Sequence, residues 1–164
     1  MRYLDRPANP YVERETAGLP PGTALDAGCG AGAEAALLAS LGWTVTGVDI
    51  SPEAIVAAQR ASSAVAWIEA DLTTWHPARQ FDLVTTHYAH ASIPHLDLYD
   101  RLAGWVAPGG SLLIVGHADD GHHEASVRLD DVVARLAGWR IDTAIETVRG
   151  SLHDVVVRAS KVEP

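Results

Sequence analysis

A single cysteine, Cys29, stands in 164 residues, so no disulfide can form within the chain, which fits a reducing compartment. Cations are scarce: 12 Lys and Arg face 21 Asp and Glu, for a net charge of −9. Nucleic acid and anionic membrane surfaces are bound by clustered Lys and Arg, so neither is expected as the main partner. No apolar run reaches the roughly 20 residues that span a bilayer. The start, Met1-Arg2-Tyr3-Leu4-Asp5-Arg6-Pro7, has no apolar targeting core. Repeats and low-complexity tracts are missing too. These absences leave a cytoplasmic single domain over residues 1–164, long enough to bury roughly 70% of its unfolded surface. Residues 1–20 form its leader, in which Tyr11 and Glu13 are either a short lid or solvated chain.

The most informative run is Leu25-Asp26-Ala27-Gly28-Cys29-Gly30-Ala31-Gly32. An apolar strand enters glycines at alternate positions and leaves as a helix-like stretch from Ala33 to Leu41. Glycine takes positive φ and lets a ligand lie against bare backbone, so this is a nucleotide-type loop. In open parallel sheets ligands bind beyond the carboxyl ends of the strands. The loop also fits the dinucleotide pattern, with Ala33 as the third small residue, so a nicotinamide-dependent oxidoreductase is one reading. Charge favours another ligand. Asp26 lies where a pyrophosphate would sit, and a carboxylate there repels a dianion while attracting an ammonium or sulfonium group. Strand two, Trp43 to Val48, ends at Asp49, an acid placed to chelate ribose hydroxyls. Strand three, Ala66 to Ala70, ends at Asp71-Leu72, a carboxylate and an apolar side chain suited to the amine and ring face of adenine.

Strands and helices alternate, as in a parallel sheet covered on both faces. Ser51-Pro52 reads as an N-cap followed by proline at the first helical position, with helix continuing to Ala61. Strand four is Phe81 to Thr86. Asp97 to Trp105 reads as a helix ended by Pro108-Gly109-Gly110, and strand five as Ser111 to Val115. Leu129 to Leu136 has helical spacing, and two strands close the chain.

With these segments in order, the chain resembles the class I S-adenosylmethionine-dependent methyltransferases. The resemblance rests on L-D-A-G-C-G-A-G, V-T-G-V-D-I-S, E-A-D-L, F-D-L-V-T-T-H-Y and W-V-A-P-G-G-S-L-L-I-V-G. It is most similar to small bacterial enzymes near the tellurite-resistance and thiopurine S-methyltransferase branch, through N-P-Y-V, Y-A-H and H-D-V-V-V-R-A. The resemblance implies an α/β, Rossmann-like doubly wound sheet of seven strands, order 3-2-1-4-5-7-6, with the last strand antiparallel and supplied by Asp154 to Ala159. It implies S-adenosylmethionine as cofactor and S-adenosylhomocysteine as product. Asp26, Gly28, Cys29, Gly30 and Gly32 would hold the methionine portion, Asp49 and Ile50 the ribose, and Asp71 and Leu72 the adenine, with His87 adjoining.

A sulfonium methyl is already activated, so alignment supplies most of the rate enhancement, and a base is needed only for a protonated acceptor. His87 and His90 follow strand four, His95 is nearby, and His117, His122 and His123 follow strand five, all toward the rim where a small-molecule substrate enters. His87 or His90 is the candidate base. Tyr88 either orients the acceptor or packs. His87-x-x-His90 and His122-His123 match no defined metal site, so no metal is expected. Cys29 is read as merely small. A cofactor-binding protein without methyl transfer is the other alternative. The short lid leaves either an open pocket or one completed by a second copy as a homodimer.

Overall fold

The computed structural model describes residues 5–119 and 126–163; His122 and His123 lie outside them. The elements in chain order are α1 (Pro10–Thr16), β1 (Thr23–Ala27), α2 (Ala33–Ser40), β2 (Thr44–Asp49), α3 (Pro52–Ala61), β3 (Ala66–Glu69), β4 (Phe81–His87), α4 (His95–Ala103), β5 (Val106–Ala118), β6 (Ser126–Val127), α5 (Leu129–Ala134), β7 (Arg140–Arg149) and β8 (Leu152–Ser160). One sheet runs β3-β2-β1-β4-β5-β8-β7. β1 to β5 pair in parallel, and β8 is antiparallel to β5 and β7.

This is the expected Rossmann-like order, with one addition to the expected seven strands. The two-residue β6 pairs with β5 at His117 and Ala118, making eight. A second correction concerns strand five, which begins at Val106 and not at Ser111. Val106 pairs with Phe81, and regular pairing with β4 resumes only at Leu83 and Ser111, so Ala107 to Gly110 form a bulge. Gly109 takes φ +78 there. Its N–H donates to Lys161 O at 3.0 Å, and Lys161 N–H returns to Gly110 O at 2.8 Å, so the Pro-Gly-Gly bend stays tied to the residue that follows the adjacent β8.

Alternation along the strands divides the core in two. Leu25, Val84, Leu112, Ile114, Val155 and Val157 face α4 and α5 through Leu98, Leu102 and Val132. Ala24, Leu83, Leu113, Val115 and Val156 face α1 and α2 through Tyr11, Val12, Ala35 and Leu38. α1 forms because Asn9 is its N-cap, accepting from Tyr11 N–H at 3.0 Å, with Pro10 in the first turn. The expected leader is therefore in part a docked helix. Ser51 caps α3 as expected, its Oγ accepting from Ala54 N–H at 3.2 Å.

Candidate functional site

The carboxyl ends of β1, β2, β3 and β4 surround a cleft of about 680 Å³. Its floor is the glycine loop. Gly28 takes φ +75, and a Cβ there would come within 2.7 Å of the Ala89 Cβ, so only glycine keeps this wall open. The loop is pinned to β2: Gly28 and Cys29 N–H donate to Val48 O at 2.8 and 2.9 Å. Gly30 N–H donates to Asp49 Oδ2 at 2.8 Å, and Ser51 N–H to Asp49 Oδ1 at 2.9 Å. Asp49 thus braces both the loop and the start of α3 while it lines the cleft.

Ile50, 63% exposed, lines the same cleft, as do Asp71 and the buried Leu72. Asp71 Oδ1 accepts from Thr73 N–H and Oγ1–H at 2.9 and 2.7 Å. Those two donors hold its carboxyl below the usual range. The side opposite the acids is built from Tyr88 to Ser92, including exposed His90.

Asp26 sits on the central strand between Gly47 and Thr85, just before the loop, and is 1% exposed. Neither carboxylate oxygen has a partner at full hydrogen-bond geometry; the Ala35 N–H is the backbone donor that acts on it, lowering its pKa slightly against the larger effects. Burial, followed by the charge of Glu34, pushes its pKa well up. A buried acceptor of this kind is costly unless something bonds it.

Four expected site residues do not line the cleft: Asp26, buried behind the loop, and Cys29, Gly32 and His87. The Cys29 side chain is buried, its Sγ beside the Gly47 backbone, and burial drives its thiol pKa far up. Gly32 caps α2 at φ +88, and a Cβ on it would strike Trp67 at 2.3 Å, so it is glycine for packing. His87 is buried on the α1 and α2 face, following Leu83 and Thr85 at strand spacing. Its Nδ1 lies 2.8 Å from Asn9 Nδ2 and its Nε2 2.6 Å from Thr85 Oγ1. It is not placed to act as base or cofactor contact, which leaves His90 as the histidine of the pair in the cleft.

Burial lowers the His87 pKa to about 4, Glu34 pulling the other way and Arg6 adding to the drop. Since the unfolded chain titrates near 6.5, it takes up a proton over this interval that the folded chain refuses. Stability is therefore present above about pH 6.5 and lost as pH falls toward 4, by about 3 kcal/mol. Urea unfolding across that range measures the slope, which His87→Gln flattens. An unchanged slope in the variant contradicts the assignment.

Tyr88 lines the cleft, yet its hydroxyl donates to Asp154 Oδ1 at 2.8 Å. The other oxygen of Asp154 accepts from Tyr11 at 2.7 Å. Sequence reasoning missed this pairing, together with Glu34, which is buried under Arg6 and Asn9. Asn9-Pro10 was the available signal for the second, being an N-cap followed by proline.

Residues 24–110 match a family model described as a methyltransferase domain. The chain is 34% identical over 135 residues to a trans-aconitate 2-methyltransferase of Methylobacterium radiotolerans, covering 80% of this chain and 51% of the relative. It spans about half the length of the curated relatives it matches. In fold it is similar to TehB from Haemophilus influenzae, with a TM-score of 0.80 at 16% identity over 94% of this chain and 62% of that one. It is similar also to a magnesium protoporphyrin IX methyltransferase from Synechocystis PCC 6803 with bound SAM, with a TM-score of 0.74 at 20% identity over 92% and 74% of the two chains.

Proposed function

We propose that this chain, which belongs to the methyltransferase domain family, binds S-adenosylmethionine in the glycine-floored cleft and serves methyl transfer to a small-molecule acceptor. The observation that carries this reading is Asp26, a carboxyl buried just behind the cleft's lining with both oxygens short of a full hydrogen bond. It calls for a cationic donor, which the amino group of the methionine portion supplies and a pyrophosphate does not. That is why the nicotinamide reading is set aside. The cofactor, when bound, supplies an activated methyl group for in-line displacement.

The chain's own residues bind and orient. Asp49 keeps lone pairs for ribose hydroxyls beyond the two backbone N–H groups it already holds. Leu72 and Ile50 offer apolar surface to the adenine ring, and Asp71 a carboxylate to its amine. Gly28 and Gly30 let the methionine portion approach the backbone. His90 faces the acceptor and takes up a proton where the acceptor carries one. Residues 1–164 act as one domain in the cytoplasm, without nucleic acid as partner. No helix among the described residues is long and apolar enough to cross a membrane.

The test is a transfer screen with isotopically labelled cofactor against thiols, amines, phenols and carboxylates, trans-aconitate included. A labelled product is expected. His90→Ala is expected to lower turnover of protonated acceptors by about 100-fold with S-adenosylhomocysteine affinity unchanged. Tight S-adenosylhomocysteine binding with no product across the panel contradicts methyl transfer. NADH binding without any thermal shift from S-adenosylhomocysteine contradicts the cofactor.

A further inference from the structure

We propose that Arg149 anchors a carboxylate of the acceptor, so that the substrates of this chain are carboxylic acids; this rests on the methyl-transfer reading above. Antiparallel pairing puts Arg149 opposite Leu152 at the end of the β7–β8 ladder, and Asp154 opposite His117 near the carboxyl end of β5. The hairpin tip therefore stands beyond the rim from which the substrate enters. The Arg149 Nε lies 3.8 Å from Asp154 Oδ2, and its Nη2 donates to the Tyr88 hydroxyl at 3.4 Å. Its guanidinium carbon is 5.8 Å from the centre of the Tyr11 ring. An acid, a phenol and a ring face thus hold the side chain in place, and 42% of it stays exposed.

That arrangement suits recognition. A guanidinium carries five N–H donors in a fixed fork that matches a carboxylate, and the contacts above leave donors over. Asp154 is fully buried, and each of its oxygens already accepts a tyrosine hydroxyl. It acts as a positioning residue, and holding the arginine beforehand reduces what is lost on binding. Tyr88 links this corner to the cleft it lines. It is the non-glycine described residue at positive φ, +53, held by its N–H bond to Val115 O at 2.8 Å and by Asp154. Strain of this kind persists where surrounding structure enforces it, commonly at functional sites. Asp49 and Asp71 line the cleft, and Arg149 places a cation behind Tyr88, at the corner just outside that lining.

The test is calorimetry with acetate, succinate, trans-aconitate and inorganic phosphate, on the chain alone and saturated with S-adenosylhomocysteine. At least one carboxylate is expected to bind. Arg149→Gln weakens it by about tenfold or more and leaves S-adenosylhomocysteine affinity as it was. Arg149→Lys, which keeps the charge and loses the fork, recovers only part. In the transfer assay Arg149→Gln raises KM for acidic acceptors and spares kcat. Asp154→Asn moves KM the same way by less, a split that simple loss of folding would not produce. Absence of carboxylate binding, binding indifferent to Arg149→Gln, or phosphate bound more tightly than every carboxylate overturns the proposal. Carboxylate binding that depends on Arg149 in a chain that ignores S-adenosylhomocysteine would sink the cofactor reading and leave the anchor standing.

Discussion

Asp26→Asn raises the melting temperature of the ligand-free chain at pH 8 and weakens S-adenosylmethionine binding by about tenfold to a hundredfold, the scale of a hydrogen bond to a charged group. The two effects have one origin. Burial, then Glu34, raise the Asp26 pKa well above its ordinary 3.8; Arg6 opposes and Asp49 adds. A folded-state pKa raised in this way means that the folded chain keeps the proton longer than the unfolded one. Stability in the absence of ligand is then full in acid and falls as pH rises through the folded value. An ammonium group reverses the preference by stabilising the charged carboxylate. Binding therefore releases a proton, and affinity rises with pH across the same interval. Asparagine keeps the shape and abolishes the charge, so both pH dependences vanish together. Thermal melts and calorimetry in buffers of different ionisation heat measure the pair. An asparagine variant that binds as well as wild type contradicts the role given to Asp26.

Asp49→Ala lowers cofactor affinity by about 3 kcal/mol, the upper end of a single charge-assisted hydrogen bond. The proposed ribose contact accounts for one part. The other comes from the N–H groups of Gly30 and Ser51, which lose the carboxylate that holds the loop against α3. Asp49→Asn retains an acceptor oxygen and loses less. Asp71→Asn loses less still, because Thr73 already engages one Asp71 oxygen at the edge of the cleft. Titrations of the three variants give the ranking; full affinity in Asp49→Ala means that the ribose lies elsewhere.

Asp49, Asp71 and Leu72 were legible because each ends an apolar run, and a parallel sheet carries such ends to one rim. Asp26 was legible as a position; that no side chain reaches it is a property of the packed core. His87 was misplaced by proximity to the rim. Strand alternation from Leu83 through Thr85 puts it on the α1 and α2 face, a signal present in the sequence and outweighed by the appeal of a histidine at a strand end. Gly32 was assigned to a ligand because its true neighbour, Trp67, is brought in from β3 by folding. The pairing of Tyr11 and Tyr88 on Asp154 joins the two ends of the chain, and local pattern carries no trace of it. The bulge in β5 was hidden for a different reason, since Pro-Gly-Gly ordinarily ends an element.

The most direct test is a calorimetric titration of the wild-type chain with S-adenosylmethionine, with NADH as rival ligand. The account predicts one site per chain, proton release on binding, affinity that rises with pH, and no displacement by NADH. No heat from S-adenosylmethionine, or saturable binding of NADH at the same cleft, would contradict it.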